Sequence, residues 1–336
     1  MKQGLRRDTE ELQRNHLAPS SRKTYDTGLR SVARWSAAYR ADEQLFPISD
    51  MHLAQYVTFM ANTVHVSTIC GYLTACAKYC AEKGIQWTPI GKRVTVQHAL
   101  QGARRMRKDC VKPKLAITLQ LLQRMHDTMP KHGTPVDRAN THTLWAAIVT
   151  AYFGTLRKDN VSQGKVGAKN NLRSLLRSDV ILEERRALVR LRSSKTNQFG
   201  CAAHLTPLAA NDTDMCPVKA MRRHIAQVPA GADDAMFMWL PAHGGRPKPL
   251  THRQLVAGIK NAVQRAGLNP AEYSGHSLRR GGATLAYHIG ASDSEVKLLG
   301  CWKSNAVHQY NEVSVDDRCK LPFRMAEAAR RSVYGR

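Results

Sequence analysis

The stretch GHSLRRGGATLAYHIG, residues 275–290, places two chemically active side chains at a helical spacing. His276 and Arg279 are three positions apart, so one face of a helical turn presents both. A phosphate group is the ligand that suits such a pair, because both tips donate hydrogen bonds and the guanidinium carries a fixed charge. The same pair could also be a solvated surface feature, and the rest of the sequence has to discriminate between these readings.

Four more residues stand in contexts that could supply chemistry. Arg157 follows the apolar segment LWAAIVTAYFG, and Lys195 lies in SSKTNQFG between two strand-like runs. Trp302 and Tyr310 follow in GCW and AVHQYNE. Each has an ordinary explanation on its own: an arginine at a helix end binds terminal carbonyls, a turn lysine is solvated, and a tryptophan packs in a core.

Taken together, these side chains match the needs of phosphodiester cleavage without a metal ion. Two arginines would hold the non-bridging oxygens, while a lysine would protonate the leaving alkoxide. A tyrosine can attack phosphorus and leave again, and histidine and indole N–H groups can add hydrogen bonds. The C-terminal part has no clustered carboxylates for a two-metal mechanism. We therefore expect no metal and no cofactor.

The composition indicates a polyanionic partner. Lys and Arg number 51 against 26 acidic residues, which gives a formal net charge of +25. Nucleic acid is the first candidate and an anionic membrane surface the second. No apolar run of about 18 residues exists to span a bilayer, and the N-terminus has no apolar signal core, so we expect an intracellular protein. The eight cysteines form no CxxC pair, which argues against zinc and disulfide frameworks.

Hydrophobic periodicity divides the chain into two parts. Helical patterns dominate residues 20–108, and a second part begins with helices and then contains three strand-like segments, DVILEE, ALVRLRSS and CAAHLTPL. Short turns join these segments, which predicts a three-stranded antiparallel sheet, and helices return after it. The predicted fold class is mainly α with a small antiparallel β-sheet (α+β).

The motifs together resemble the active site of the tyrosine recombinases, the lambda-integrase family. The matching pieces are LR at 156–157, SKTNQ around Lys195, HSLR at 276–279, GCW at 300–302 and QY at 309–310. SSRKTYDTGLRSVARW and STICGYLTACAKYC also look like the helical core-binding domain of that family. LRKDNV, HSLRRGGAT and WKSNA look closest to the eukaryotic DIRS-like and Crypton transposon recombinases.

The resemblance implies a domain organisation and an oligomeric state. Residues 1–19 are expected to be a flexible or loosely helical lead-in, 20–108 a helical (SAM-like) core-binding domain, 109–116 a basic linker, and 117–336 the catalytic domain. A tail from about residue 314 contains PFRMAEAARRSV, expected to be a helix that docks on a neighbouring subunit. The two domains would clamp double-stranded DNA, and a homo-oligomer, a tetramer on two duplexes, would carry out recombination without any membrane partner.

Catalytic roles follow from the same resemblance. Tyr310 would form a 3′-phosphotyrosyl link and Lys195 would protonate the 5′ oxygen. Transition-state stabilisation would come from Arg157, His276, Arg279 and Trp302. DNA binding is expected of a set of basic side chains: Arg22, Lys23, Arg104, Arg105, Arg107, Lys108 and Arg280.

Two features depart from the family pattern, and two further details stay open. The acidic residue expected three places after Arg157 is Asn160, with Asp159 beside it. Nine positions before Tyr310 stands Cys301 rather than Trp302, and we favour Trp302 because a thiol is a weak hydrogen-bond donor. His308 could also contribute. Gly281 and Gly282 would let DNA or another helix approach closely.

Two other functions use the same residues. A type IB topoisomerase would relax supercoils with this chemistry, and a catalytically silent DNA-binding protein would keep only the fold. A mobile-element recombinase of a eukaryote would reside in the nucleus, whereas a bacterial one would be cytoplasmic.

Overall fold

The computed structural model describes residues 2–40, 44–107, 113–164, 173–193, 203–302 and 307. The chain forms two compact units, Met1–Lys112 and Pro113–Arg336. The predictions for Lys108, Lys195, His308 and Tyr310, and for the C-terminal tail, concern residues outside these ranges. Among the described helices, none is both long and apolar enough to cross a membrane.

The first unit is all-helical in its described part. Its helices are α1 (Lys2–Asn15), α2 (Pro19–Tyr39), α3 (Asp50–Ala61), α4 (Val66–Glu82) and α5 (Val94–Arg107). Helix α2 packs on α4, where Gly28 lies against Tyr72 and a Cβ would come within 3.0 Å of that residue. The core is centred on fully buried apolar residues such as Leu53, Val57 and Ile69. Of the two forms expected for the lead-in, flexible or loosely helical, the structure has a helix, α1, and its residues 5–15 contain neither Gly nor Pro.

The second unit combines helices with two small sheets. The helices are α6 (Leu119–Asp127), α7 (Pro135–Phe153), α8 (Lys158–Val161), α9 (Pro217–Gln227), α10 (His252–Arg265), α11 (His276–His288) and α12 (Asp293–Gly300). The strands are β1 (Val180–Leu182), β2 (Arg186–Leu191), β3 (His204–Ala209), β4 (Met238–Trp239) and β5 (Lys248–Pro249). Helix α7 is buried on most sides and forms the centre of this unit.

Strands β1, β2 and β3 form an antiparallel sheet in sequence order. Val189 in the central strand pairs with Val180 on one side and with Thr206 on the other. Buried and exposed residues alternate along β2, as expected of a sheet with one face on the core. The predicted sheet is confirmed, whereas the β4–β5 hairpin was missed because two-residue strands carry no periodicity.

The second unit begins before the boundary that the sequence indicated. Residues 113–116 were assigned to a linker, but Ala116 and Ile117 are buried in the second unit. The backbone N–H of Leu115 donates to the Glu272 carbonyl at 2.9 Å, and that of Ile117 donates to the Ser277 carbonyl at 3.1 Å. Burial of the apolar side chains and pairing of these backbone groups both hold the segment against the start of α11.

Candidate active site

Arg279 is the centre of the site. It lies on α11 with only 2% of its surface exposed, which is unusual for an arginine. One terminal nitrogen, Nη1, donates to the Thr155 carbonyl, and Nη2 donates to the Gly300 carbonyl at 2.8 Å. These two bonds fix the plane of the guanidinium between the end of α7 and the end of α12.

Both carbonyls belong to turns with strained backbone. Thr155, with φ of 46°, and Cys301, with φ of 54°, are the described non-glycine residues in the left-handed region. A β-branched residue such as threonine rarely adopts this conformation, which costs about 1–3 kcal/mol and concentrates at functional sites. The carbonyl of the strained Thr155 accepts a hydrogen bond from Arg279, while Cys301 follows directly after the Gly300 carbonyl. Tight turns thus aim both carbonyls at one side chain.

Trp302 supports Arg279 from a third direction. The guanidinium carbon of Arg279 lies 3.6 Å from the centroid of the Trp302 ring, in a cation–π contact. The ring is 8% exposed, and a Cβ at Gly300 would overlap it, so glycine is required there. Trp302 therefore contacts Arg279 by its ring face, a contact that the sequence did not indicate, and N–H donation to phosphate stays a prediction.

Cys301 lies close enough to Arg279 and Arg157 for their charges to act on its thiol. Burial raises the pKa of its thiol, and the positive charges of Arg279 and Arg157 partly offset that rise. The thiol is therefore protonated at neutral pH, and a weak donor in this state adds little to phosphate binding. Of the two candidates, Trp302 makes the direct contact with Arg279 and Cys301 provides the turn.

Arg157 stands at the start of the short helix α8. Its backbone N–H donates to Oδ1 of Asn160 at 3.0 Å, and Asn160 Nδ2 donates to the Arg173 carbonyl at 3.0 Å. Asn160 thus fixes the backbone of Arg157. Asp159 instead faces His252, whose Nε2 lies 3.2 Å from Oδ1, and this hydrogen bond is the main cause that lowers the pKa of Asp159. Asn160 therefore binds the backbone of Arg157, whereas Asp159 pairs with His252.

His276 is the first residue of α11, and its side chain is only partly accessible to solvent. Desolvation lowers its pKa most, and the positive charges of Arg279, Arg157, Arg280 and Lys158 lower it further. The imidazole is therefore neutral at pH 7. His276 and Arg279 lie on one helix, as the spacing predicted, and both arginines act on His276, so these three predicted residues are brought together.

Lys158 is a cation of the site that the sequence reading missed. It is exposed, and its stem packs along Gly275, where a Cβ would come 3.3 Å from the Lys158 Cβ. It also acts electrostatically on His276. Its position directly after Arg157 was the available signal. The carbonyls of Thr155 and Gly300 were missed too, since backbone acceptors leave no mark in a sequence.

The glycine pair after Arg280 admits protein rather than DNA. A Cβ on Gly281 would overlap the Ile117 carbonyl, and one on Gly282 would overlap the Tyr152 carbonyl. Helix α11 thereby approaches α7 closely enough for Arg279 to reach the Thr155 carbonyl. Of the two alternatives that the sequence left open, the structure has another helix in this place.

The predicted DNA-binding residues divide into two groups. Arg22, Lys23, Arg104 and Arg105 are exposed. Arg107 instead donates through Nη1 to the Ala61 and Val64 carbonyls after α3, at 2.8 Å for Val64, and Arg280 donates to the Lys114 carbonyl at 2.9 Å. The last two side chains thus have structural contacts that the sequence did not indicate.

Two described elements connect the cluster with the predicted residues outside the described ranges. The fully buried Val307 packs in one apolar cluster with Trp302 and Val296. At the other side, His204 pairs with Leu191 at the end of the β2–β3 ladder and makes a hydrogen bond with the Leu298 backbone in α12. Ser193, two residues before Lys195, is the last described residue after β2. Among the described residues no cluster of three His, Cys, Asp or Glu could hold a metal ion.

The fold is similar to those of solved DNA recombinases. The XerH site-specific recombinase bound to a palindromic difH substrate shares 18% identity with a TM-score of 0.62, covering 92% of this chain and 78% of that one. The Tn1549 transposon integrase with transposon right end DNA shares 13% identity with a TM-score of 0.63, covering 95% and 98%. A lambda integrase dimer bound to a COC′ core site shares 15% identity with a TM-score of 0.57, covering 95% and 96%.

No protein-family model matches the chain, and no curated protein matches it. The similarity to the solved structures nevertheless extends over nearly the whole chain, so both units are included in it. The chain has the fold of the tyrosine recombinases, mainly helical with small antiparallel sheets. This confirms the predicted fold class and, at the level of the fold, the resemblance to the tyrosine recombinases, whereas the likeness to the DIRS-like and Crypton recombinases stays a prediction.

Proposed function

We propose that the protein is a site-specific DNA recombinase or integrase that cleaves and rejoins strands through a 3′-phosphotyrosyl intermediate. One observation carries the proposal: a buried, doubly anchored arginine shares its surroundings with a second arginine and a neutral histidine. A fold alone does not determine a function, whereas this arrangement suits a phosphate in a substitution reaction.

Each described residue has a defined task in this mechanism. The carbonyls of Thr155 and Gly300 hold the guanidinium of Arg279 in one orientation, so it does not have to reorganise when negative charge develops on phosphorus-bound oxygens. Arg157 supplies a second permanent charge on a turn that Asn160 fixes. The neutral imidazole of His276 can donate one hydrogen bond to the phosphate or accept the phenol proton.

Tyr310 and Lys195 complete the mechanism. The phenol of Tyr310 gives its proton to the neutral imidazole of His276 as its oxygen attacks phosphorus, the bond to O5′ breaks, and Lys195 transfers a proton to O5′. Tyr310 follows the buried Val307 by three residues, and a chain advances at most about 3.6 Å per residue. Lys195 follows Ser193, the last described residue after β2, by two positions in the sequence.

Double-stranded DNA is the proposed partner. The net charge of +25 favours a polyanion, and the XerH, Tn1549 and lambda relatives in fold are DNA complexes. We further propose a tetramer on two duplexes and a role in the integration or excision of a mobile element. Exchange of strands between two duplexes, rather than relaxation of one, would distinguish recombination from topoisomerase activity.

A nicked suicide substrate tests the proposal. After cleavage a short 5′-hydroxyl fragment diffuses away and the covalent adduct accumulates, so a shifted band on a denaturing gel reports the phosphotyrosyl link. We expect an adduct with the wild type, none with Tyr310→Phe, and a normal amount with Tyr39→Phe, an exposed tyrosine of the first unit. DNA binding without any adduct from the wild type would instead support a silent DNA-binding protein.

A further inference from the structure

Asp179 is a buried carboxylate that the mechanism above does not use. Its side chain is 0% exposed and lies between two arginines of the neighbouring strand end. Arg190 Nε approaches Oδ1 at 3.2 Å, and Arg192 Nε approaches Oδ2 at 2.8 Å. The two arginines are two residues apart and so share one face of the strand and its extension.

Arg192 has a second acceptor that Arg190 lacks. Its Nη2 donates to the Ser174 carbonyl at 2.7 Å. The side chain is 24% exposed, against 50% for Arg190. Arg192 therefore links the end of strand β2 to Asp179 and also to residues 173–176, which come shortly before Asp179 in the sequence.

Residues 173–176 also make hydrogen bonds with Asn160, which fixes the turn at Arg157. The Asn160 side chain donates through Nδ2 to the Arg173 carbonyl at 3.0 Å, and the Asn160 backbone carbonyl accepts from the Leu175 N–H at 2.9 Å. The Leu176 N–H then donates to Asp179 Oδ2 at 2.9 Å. An unbroken series of hydrogen bonds thus runs from the backbone of Arg157 to the end of β2.

Stability alone does not explain this arrangement. A buried ion pair contributes little net stability compared with apolar packing, because both charges lose their hydration. Buried ionic groups do, however, select one geometry among several. Here the ionic group fixes the position of the end of strand β2, which lies beside α12. At that end His204 pairs with Leu191 and also contacts the Leu298 backbone of α12.

We propose that Asp179, through Arg192, is a positioning residue that sets the strand end leading to Lys195 relative to the Arg157 turn. This inference rests on the proposed function. In the reaction the phenol gives its proton to the neutral imidazole of His276 and its oxygen forms the bond to phosphorus, the P–O5′ bond breaks and the lysine proton passes to O5′. A misplaced strand end impairs that proton transfer and leaves phosphate binding by Arg157 and Arg279 intact.

A change of leaving group tests this. In a suicide substrate with sulfur in place of the bridging O5′, the leaving thiolate is a far weaker base than an alkoxide, as the cysteine pKa of about 8.5 illustrates, and it departs without a proton donor. With ordinary DNA, Arg192→Gln is expected to slow adduct formation by about 10²-fold, the usual worth of a general acid. With the sulfur substrate its rate should return to within about threefold of the wild type, since no acid is needed.

Arg190→Gln is the matched control, since it removes an equal charge from the same strand face but leaves the Ser174 contact. It should cleave both substrates at about the wild-type rate. Asp179→Asn should repeat the Arg192→Gln pattern, with folding checked by circular dichroism and DNA affinity by gel shift. A folded Arg192→Gln that is equally slow on both substrates, or unimpaired on ordinary DNA, overturns the inference. Absence of a wild-type adduct overturns the proposed function itself.

Discussion

At the scale of single residues, the site depends on how Arg279 is held rather than on its charge alone. Its guanidinium makes two hydrogen bonds to carbonyls and stacks on Trp302. A lysine would retain the charge but lacks the planar fork and the delocalised face. We therefore expect Arg279→Lys to slow adduct formation by about 10²–10³-fold, as loss of one oriented transition-state donor does.

The adjacent Arg280→Lys is the control for that prediction. Arg280 makes its hydrogen bond to the Lys114 carbonyl, which a lysine can also reach. Adduct formation by this variant should stay close to the wild-type rate. Equal rates for Arg279→Lys and the wild type would show that the buried guanidinium serves folding and not the phosphate.

His224 gives a second prediction at this scale, concerning stability. It is fully buried, Nε2 donates to the Met236 carbonyl at 2.9 Å, and Nδ1 lies 3.0 Å from Thr143 Oγ1. Burial, and then the charge of Arg177, lower its pKa to about 4. Because the unfolded chain has a histidine pKa of about 6.5, stability is complete above that pH and falls as the pH drops towards 4.

The expected loss for His224 is about 3 kcal/mol between pH 6.5 and 4, at 1.36 kcal/mol per pKa unit. Urea unfolding of the wild type at several pH values measures it. His224→Gln should be less stable at pH 7 but show a weaker dependence on pH in this window. An identical pH dependence in both proteins would contradict the buried, neutral state of His224.

At the scale of elements, local patterns predicted well and irregular segments did not. Ser292 and Thr134 cap their helices, and strongly periodic segments such as the one ending at Tyr39 became helices. Alternation likewise revealed β2 and its neighbours. Helix α8 was missed because it has four residues, and the place of residues 113–116 in the second unit because it depends on tertiary contacts, such as the burial of Ala116 and the backbone hydrogen bond of Leu115.

The residues of the candidate site were predicted from the sequence, but the contacts between them were not. Types and spacing identified Arg157, His276, Arg279 and Trp302 as candidates, and the structure brings them together. The roles of carbonyl acceptors, the ring-face contact of Trp302 and the structural contacts of Arg107 could not be predicted. Each depends on which atoms meet in three dimensions, and a sequence contains only the order of residues.

The contact between α11 and α7 is the element-scale prediction. A Cβ on Gly282 would overlap the Tyr152 carbonyl, so Gly282→Ala must push the two helices apart. We expect a loss of about 1–3 kcal/mol, typical of overpacking, and slower adduct formation because Arg279 moves away from Thr155. Thermal unfolding and the suicide substrate measure the two effects.

Gly71→Ala is the matched control for Gly282→Ala. Gly71 lies within helix α4, and nothing is within 4 Å of the position that its Cβ would take. Because alanine favours helices over glycine, this change should stabilise the protein by about 0.5–1 kcal/mol. If Gly282→Ala were as harmless as Gly71→Ala, the close approach of the helices would not be what positions Arg279.

At the scale of the whole molecule, the excess of positive charge has two different uses. Some cations, such as Arg107 and Arg279, hold backbone carbonyls within a unit. Others, such as Arg104 and Arg105, are exposed at the end of α5, where Arg104 Nη2 makes a weak contact with Cys70 Sγ at 3.8 Å. Net charge therefore does not reveal which arginines contact DNA, and exposed ones without hydrogen bonds to backbone carbonyls are the better candidates for phosphate binding.

This distinction predicts opposite behaviour for neighbouring arginines. If Arg104 and Arg105 each neutralise a phosphate, Arg104→Gln/Arg105→Gln should reduce the slope of log affinity against log salt by about 1.8, at about 0.9 per contact. The loss should be similar for every DNA sequence, because phosphates are common to all of them. Fluorescence anisotropy with two unrelated duplexes over a range of salt concentrations measures both quantities.

Arg107→Gln should leave that slope nearly unchanged and lower the melting temperature instead. Its guanidinium satisfies the carbonyls of Ala61 and Val64, and removal of a charged hydrogen-bond partner costs about 1.5–3 kcal/mol. The three arginines lie within four positions of one helix, so a uniform effect of charge would change all variants alike. A reduced salt slope for Arg107→Gln with unchanged stability would therefore assign this residue to DNA and refute the division, because a side chain anchored to α3 cannot also neutralise a phosphate at full strength.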